Sequence, residues 1–131
     1  MIRILFLDDN PNRHSTMHQN CIGAVVDHVH TAGEAIDHLE RKEYDLIMLD
    51  HDLSEDPDKM NSTPTGNDVA SYMARHLVQH SDTPVVIHSL NPPGAQNMMN
   101  ALHNGGYSDI SIIPFAWRKI QIENSKISFM P

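Results

Sequence analysis

Two periodicities alternate along the chain. Ile2-Arg3-Ile4-Leu5-Phe6-Leu7 is a nearly continuous apolar run without Gly or Pro, the pattern of a strand buried on both faces of a parallel sheet. Pro11 then stands where a helix's first turn accepts it, and Met17 and Cys21 make a four-residue apolar step within residues 13–21. Residues 24–30 read as a second strand. Thr31 and Glu34 form a Thr-x-x-Glu capping box ahead of Ala32, Ala35, Ile36 and Leu39, which predicts a helix over about residues 31–42. Residues 44–49 repeat the buried-strand pattern and stop at Asp50, as the first run stops at Asp8 and Asp9.

Residues 51–64 hold two prolines, two serines, four acids and one lysine with no period, so they predict a long loop of the kind that is often functional. Val69, Tyr72, Met73, His76 and Leu77 share a helical face, residues 84–89 make a fourth strand, and Ala95, Met98, Met99 and Leu102 make another helical stripe ending at Gly105. Residues 110–113, stopped by Pro114, form a fifth strand. This βαβαβαβαβ order predicts one α/β domain over residues 1–115, an open parallel five-stranded sheet with helices on both faces. Residues 116–131 are too polar and short for a clear fifth helix. They are expected to pack on the same domain as a tail or short helix, with Trp117, Ile120 and Ile122 as anchors.

Composition narrows the class of partner. Nine Lys+Arg against seventeen Asp+Glu leave a net charge of −8, which disfavours a groove for extended nucleic acid or an anionic membrane surface. Seven acids and no base lie between Glu43 and Asp58, so a small phosphorylated ligand or an RNA terminus suits the chain better than a long polymer. The N-terminal apolar run is too short for a signal or a span, and the single Cys21 fits a reduced, cytoplasmic setting.

The chemistry gathers at the strand ends. Ligands of open α/β sheets bind outside the carboxyl ends of the strands, where Asp8, Asp9 and Asp50 meet if the first and third strands are neighbours. Carboxylates this close repel one another unless a cation joins them, and a hard oxygen-liganded ion, Mg²⁺ or alternatively Mn²⁺, is the natural occupant. N-capping of the following helices is the plainer role for any one of these acids.

These residues resemble the response-regulator receiver (CheY-like) superfamily: Leu7-Asp8-Asp9, Leu49-Asp50, residues 84–89 ending in Ser89, and Pro114. The resemblance covers about residues 1–115. It implies a flavodoxin-like strand order 2-1-3-4-5 with the fifth helix short or absent here, Mg²⁺ on Asp8, Asp9 and Asp50, phosphoryl transfer to Asp50, and contact from Ser89. The lysine expected before the strand-five proline is replaced by Ile113, which has no charge to offer a phosphoryl group. Arg13, the run Asp50-His51-Asp52-Leu53, and His88-Ser89-Leu90-Asn91 leading through Pro92-Pro93 to Gly94 resemble a divergent branch, the cyclic-phosphate processing receivers. That resemblance implies action on cyclic phosphate ends.

Opening a cyclic phosphodiester needs stabilised phosphoryl oxygens, a base and an acid. His51 is the first choice for proton transfer, and Arg13 could clamp the phosphoryl group in place of the lysine. His88 serves either as a site residue or as a hydrogen-bonded core residue, because side chains alternate along a strand and Ser89 takes the other face. Asn91 either orients phosphate or caps a helix. His14 with His18 and His76 with His80 have helical chelating spacing and His28 and His30 share a strand face, yet none has a third ligand nearby in sequence, so adventitious Ni²⁺ or Zn²⁺ binding is expected. His51-Asp52 also matches the HD phosphohydrolase dipeptide, but that fold is all-helical. Two alternatives stand beside a phosphoesterase: a non-enzymatic module that binds a protein partner, and a receiver phosphorylated on Asp50.

Overall fold

The computed structural model describes residues 2–53, 64–115, 119–123 and 126–130. Five parallel strands, β1 (Ile2–Leu7), β2 (Ala24–Val29), β3 (Leu46–Leu49), β4 (Val85–Ile87) and β5 (Ile110–Ile112), lie in the order β2-β1-β3-β4-β5. The connecting helices are α1 (Pro11–Asn20), α2 (Ala32–Arg41), α3 (Gly66–His76) and α4 (Pro92–Asn104), with a short 3₁₀ turn at Val78–His80. This is the expected receiver-like α/β architecture.

Alternation along the strands makes two cores. Leu5, Leu7, Ile47, Leu49, Val85 and Ile87 face α2, α3 and α4 on one side. Ile4, Phe6, Leu46, Met48 and Val86 face Met17 and Cys21 at α1 on the other. Because β1 and β3 are buried on both faces, neither shows a polar alternation, which is why they read as continuous apolar runs.

The helices begin where their caps dictate. Thr31 Oγ1 accepts from the Glu34 N–H at 3.2 Å, while the Glu34 carboxylate reaches back to the His30 N–H at 3.2 Å. Asn10 caps α1 through the Asn12 N–H, and Thr65 with Asp68 makes a complete capping box on α3.

The C-terminal segment differs from the tail or short helix expected. β6 (Lys119–Glu123) and β7 (Lys126–Met130) form an antiparallel hairpin, with Ile127 and Phe129 packed on the Phe6 side of the sheet. Lys-Ile-Gln-Ile-Glu and Lys-Ile-Ser-Phe-Met each alternate with period two, so the strand signal outweighs a helical one. Trp117 lies outside the described residues, as do the side chains of Ile120 and Ile122 and most of the 51–64 loop, including Glu55, Asp56 and Asp58. No helix among the described residues is long and apolar enough to cross a membrane.

Candidate active site

Register brings the acids together. Phe6 pairs with Met48 across β1 and β3, so continuing the two strands sets Asp8 opposite Asp50. Asp8, Asp9 and Asp50 each offer a carboxylate oxygen within 4.8 Å of the others, the only such group of three among the described residues. Asp8 and Asp50 are buried, and Asp9 is partly exposed at the mouth.

Each acid is held by the turn that follows its strand. Asp8 Oδ1 accepts from the Asn10 N–H at 2.8 Å, and Asp50 Oδ1 accepts from the His51 N–H at 2.9 Å. Their second oxygens face one another's charge. Arg13 enters from the first turn of α1, with Nε 2.7 Å from Asp8 Oδ2 and a terminal nitrogen 3.5 Å from Asp50 Oδ2 and 3.7 Å from Asp9 Oδ1. The Nε contact is short but misaligned: it is an ion pair without a hydrogen bond, and Asp8 Oδ2, Asp50 Oδ2 and Arg13 Nε remain buried without hydrogen-bond partners. Buried anionic oxygens that accept no hydrogen bond in this position fit a hard divalent cation.

The electrostatics follow from this crowding. Burial and the field of Asp8 push the Asp50 carboxyl up to about 7, although Arg13 and the His51 N–H oppose the rise. Burial works against the Arg13 charge, but its contacts with Asp8, Asp50 and Asp9 more than compensate, holding it above its ordinary value. The guanidinium also lies over the Phe115 ring, 5.9 Å from its centroid.

His51 sits at the rim beside Asp50, with its side chain 17% exposed. Its Nδ1–H donates to Asp52 Oδ1 at 2.7 Å, and Asn91 Nδ2 donates to the same oxygen at 3.3 Å. This chain fixes the tautomer and leaves Nε2 as the nitrogen able to accept a proton. Asn91 does both jobs open to it: its Oδ1 caps α4 through the Gly94 N–H at 3.1 Å while its Nδ2 steadies Asp52. Ser89, buried at the end of β4, accepts the Asn91 N–H at 3.0 Å.

His88 takes the core alternative. It continues the Val86 face of β4, is 1% exposed, and stacks on Phe6 with ring centroids 4.9 Å apart. Its Nε2–H donates to the Leu7 carbonyl at 3.0 Å, so its bare Nδ1 faces Asp8 Oδ2 at 3.6 Å. Burial drives this imidazole down to about 4, keeping it neutral. His88 therefore lies buried beneath the crevice, against Asp8 and without a hydrogen bond to it.

Three further residues belong to the site. Asp52 orients His51, and the HD dipeptide was its one signal in the sequence. Gly94 lets the start of α4 close on His51, since a Cβ there would lie 2.6 Å from the imidazole Cγ. His14 donates from Nε2 to the Asp8 carbonyl at 2.6 Å. The pair His76 and His80 does not converge: His76 packs near Tyr72, whereas buried His80 bonds the Leu39 carbonyl.

Residues 3–104 match the family model described as the cyclic-phosphate processing receiver domain. None of the curated proteins matches the chain. Among solved structures, it is similar to the chemotaxis protein CheY4 of Vibrio cholerae, with TM-score 0.63, 16% identity, and 89% of this chain and 88% of that one covered. A CheY-like receiver domain protein of Methanospirillum hungatei gives TM-score 0.61 and 20% identity over 86% and 81% of the two chains. The receiver domain of a Pseudomonas aeruginosa sensor histidine kinase gives 0.60 and 19% over 88% and 86%, and holds a magnesium ion in its active-site cleft. At these identities the likeness is one of fold.

Proposed function

The chain belongs to the cyclic-phosphate processing receiver domain family, and from that premise we propose that it hydrolyses cyclic phosphodiesters on nucleotides or RNA termini to monoesters. The observation that carries this reading is the His51–Asp52–Asn91 chain set beside the three-carboxylate cluster. A carboxylate-oriented imidazole is a general-base arrangement, whereas a phosphoacceptor aspartate alone has no need of one.

Asp8, Asp9 and Asp50 would hold Mg²⁺ or Mn²⁺. The bound ion supplies charge neutralisation to the phosphoryl oxygens. Arg13, already drawn over the carboxylates, adds a guanidinium where Ile113 offers nothing to an anion. His51 Nε2 takes a proton from water as the water oxygen bonds to phosphorus. The bond from phosphorus to one ribose oxygen breaks, and that oxygen takes a proton from solvent. The acidic surroundings favour a small nucleotide or a chain terminus over an extended strand.

Phosphorus-31 NMR of the protein with Mg²⁺ and a nucleoside 2′,3′-cyclic phosphate tests the reading. Conversion to a monoester by the wild type, and not by Asp50→Asn or His51→Ala, supports it. A stable phosphoryl adduct on Asp50 from a small phosphodonor, without turnover, would favour a signalling receiver. Neither result, together with tight capture of a protein partner, would favour an interaction module.

A further inference from the structure

The fold supplies what the histidine spacings lacked. α1 carries His14 and His18 one turn apart; both meet His28 on β2, and His14 also meets His30 just beyond it. The His14 ring lies 4.9 Å from His28 and 4.2 Å from His30, and His18 lies 6.3 Å from His28, centroid to centroid. A solvent-open cavity of about 350 Å³ is lined by His14, Ser15, His18, Gln19 and His28. His14 links this cavity to the carboxylate cluster, and it does so through the Asp8 backbone carbonyl, which leaves the Asp8 carboxylate out of the histidine group.

We propose that His14, His18 and His28 form a second metal site, for a nitrogen-liganded divalent transition metal of the Zn²⁺ class. The tautomers are already arranged for it. The Asp8 carbonyl can only accept, so His14 carries its proton on Nε2 and turns a bare Nδ1 toward Nδ1 of His28 at 2.6 Å. A ligating histidine whose other nitrogen is pinned by a backbone carbonyl is the usual support for a bound metal. The Phe6 ring meets His14 edge-on at 5.0 Å and His28 at 6.1 Å, giving the two ligands an apolar wall.

On binding, His28 moves its proton from Nδ1 to Nε2, and the metal takes the place of the shared hydrogen. Tetrahedral bonds of roughly 2.0–2.1 Å would part the two nitrogens to about 3.3 Å. His18, exposed on α1, reaches the ion by rotation of its own side chain, and the fourth position faces the cavity. Imidazole donors suit Zn²⁺ and not Mg²⁺, so the two sites sort their ions by donor chemistry.

The test is Zn²⁺ titration of the full chain in saturating Mg²⁺, followed by competition with a chromophoric chelator. Wild type and Asp50→Asn should each bind one Zn²⁺ with equal affinity, and His28→Gln and His18→Gln should each lose roughly tenfold or more. Undiminished affinity in His18→Gln, whose exposed position spares the fold, would overturn the site. Loss of Zn²⁺ in Asp50→Asn, or its displacement by Mg²⁺, would do the same by assigning the ion to the carboxylates. Thermal midpoints without zinc check that His28→Gln is folded.

Discussion

Nδ1 of His88 faces Oδ2 of Asp8 across 3.6 Å with no hydrogen between them, a lone pair set against a carboxylate in the dry layer beneath the crevice. The arrangement persists because Phe6 and the Leu7 carbonyl hold the imidazole in place. It carries a pH signature. His88 titrates near 4 in the fold against an ordinary 6.5, so the stability it contributes is present above 6.5 and lost as pH falls through 4. Asp50 works oppositely: held at about 7 against 3.8, its contribution is present below 3.8 and lost as pH rises through 7.

The two slopes oppose each other between about pH 4 and 6.5, and His14 and His28 add to the histidine side. The metal-free wild type should therefore be most stable near pH 6.5 and weaken toward neutrality. Asp50→Asn should rise from pH 4 and stay level above 6.5. Thermal midpoints from pH 4 to 8 in a chelator decide the matter, and a neutral-range decline that survives in Asp50→Asn would refute it.

Asp50→Asn should also raise the metal-free midpoint at pH 8. It removes a buried charge that burial and Asp8 disfavour, for a gain of about 2 kcal/mol or roughly 5 °C. Added Mg²⁺ should stabilise the wild type and leave the variant unchanged, as calorimetry with and without the ion would register.

Arg13→Gln should separate stability from affinity. Losing the guanidinium among three carboxylates should lower metal-free stability by about 2 kcal/mol, yet tighten Mg²⁺ binding by roughly tenfold, because a competing cation is gone. Turnover should nonetheless fall. Weaker Mg²⁺ binding on titration would show that Arg13 assists the ion instead of competing with it.

Two glycines should behave differently when given a methyl group. At Gly94 the added Cβ meets the His51 ring at 2.6 Å, and the ring can turn away, so Gly94→Ala should keep its midpoint within a few degrees while turnover falls roughly tenfold to a hundredfold. At Gly66 it would fall 1.8 Å from the Asp50 carbonyl oxygen, which is backbone. Gly66→Ala should be grossly destabilised, and circular dichroism melts would rank the two.

Much of this was legible because burial leaves plain marks. Strands β1 and β3 are apolar apart from Arg3 and stop at Asp8 and Asp50, and the sheet order is what the resemblance to receivers implies. The Thr31–Glu34 box starts α2 at the expected residue, with only its return arm shifted to the His30 N–H. His88 was legible as a choice, and the Val86 face decided it. The meeting of His14 with His28 was not, since it depends on how α1 is rotated over β2, which local spacing does not encode. Asp52 showed only as half of the His51-Asp52 dipeptide, and its contact with His51 did not, because past a strand's end the pleat no longer dictates where a side chain points.

The hairpin β6–β7 forms its own two-stranded sheet and shares no ladder with the other five strands. Ile127 and Phe129 pack on the body and β6 lies against α1, yet a lone two-stranded hairpin is marginal in water. It can lift away without breaking a hydrogen bond of the main ladder. The molecule thus has two tiers of opening: amides of residues 119–123 and 126–130 should exchange with solvent through a local excursion, and those of β1 and β3 only when the whole sheet comes apart. Each excursion would briefly unroof the cavity that Ile127 and Phe129 share with Ile2, Val86 and Ile113.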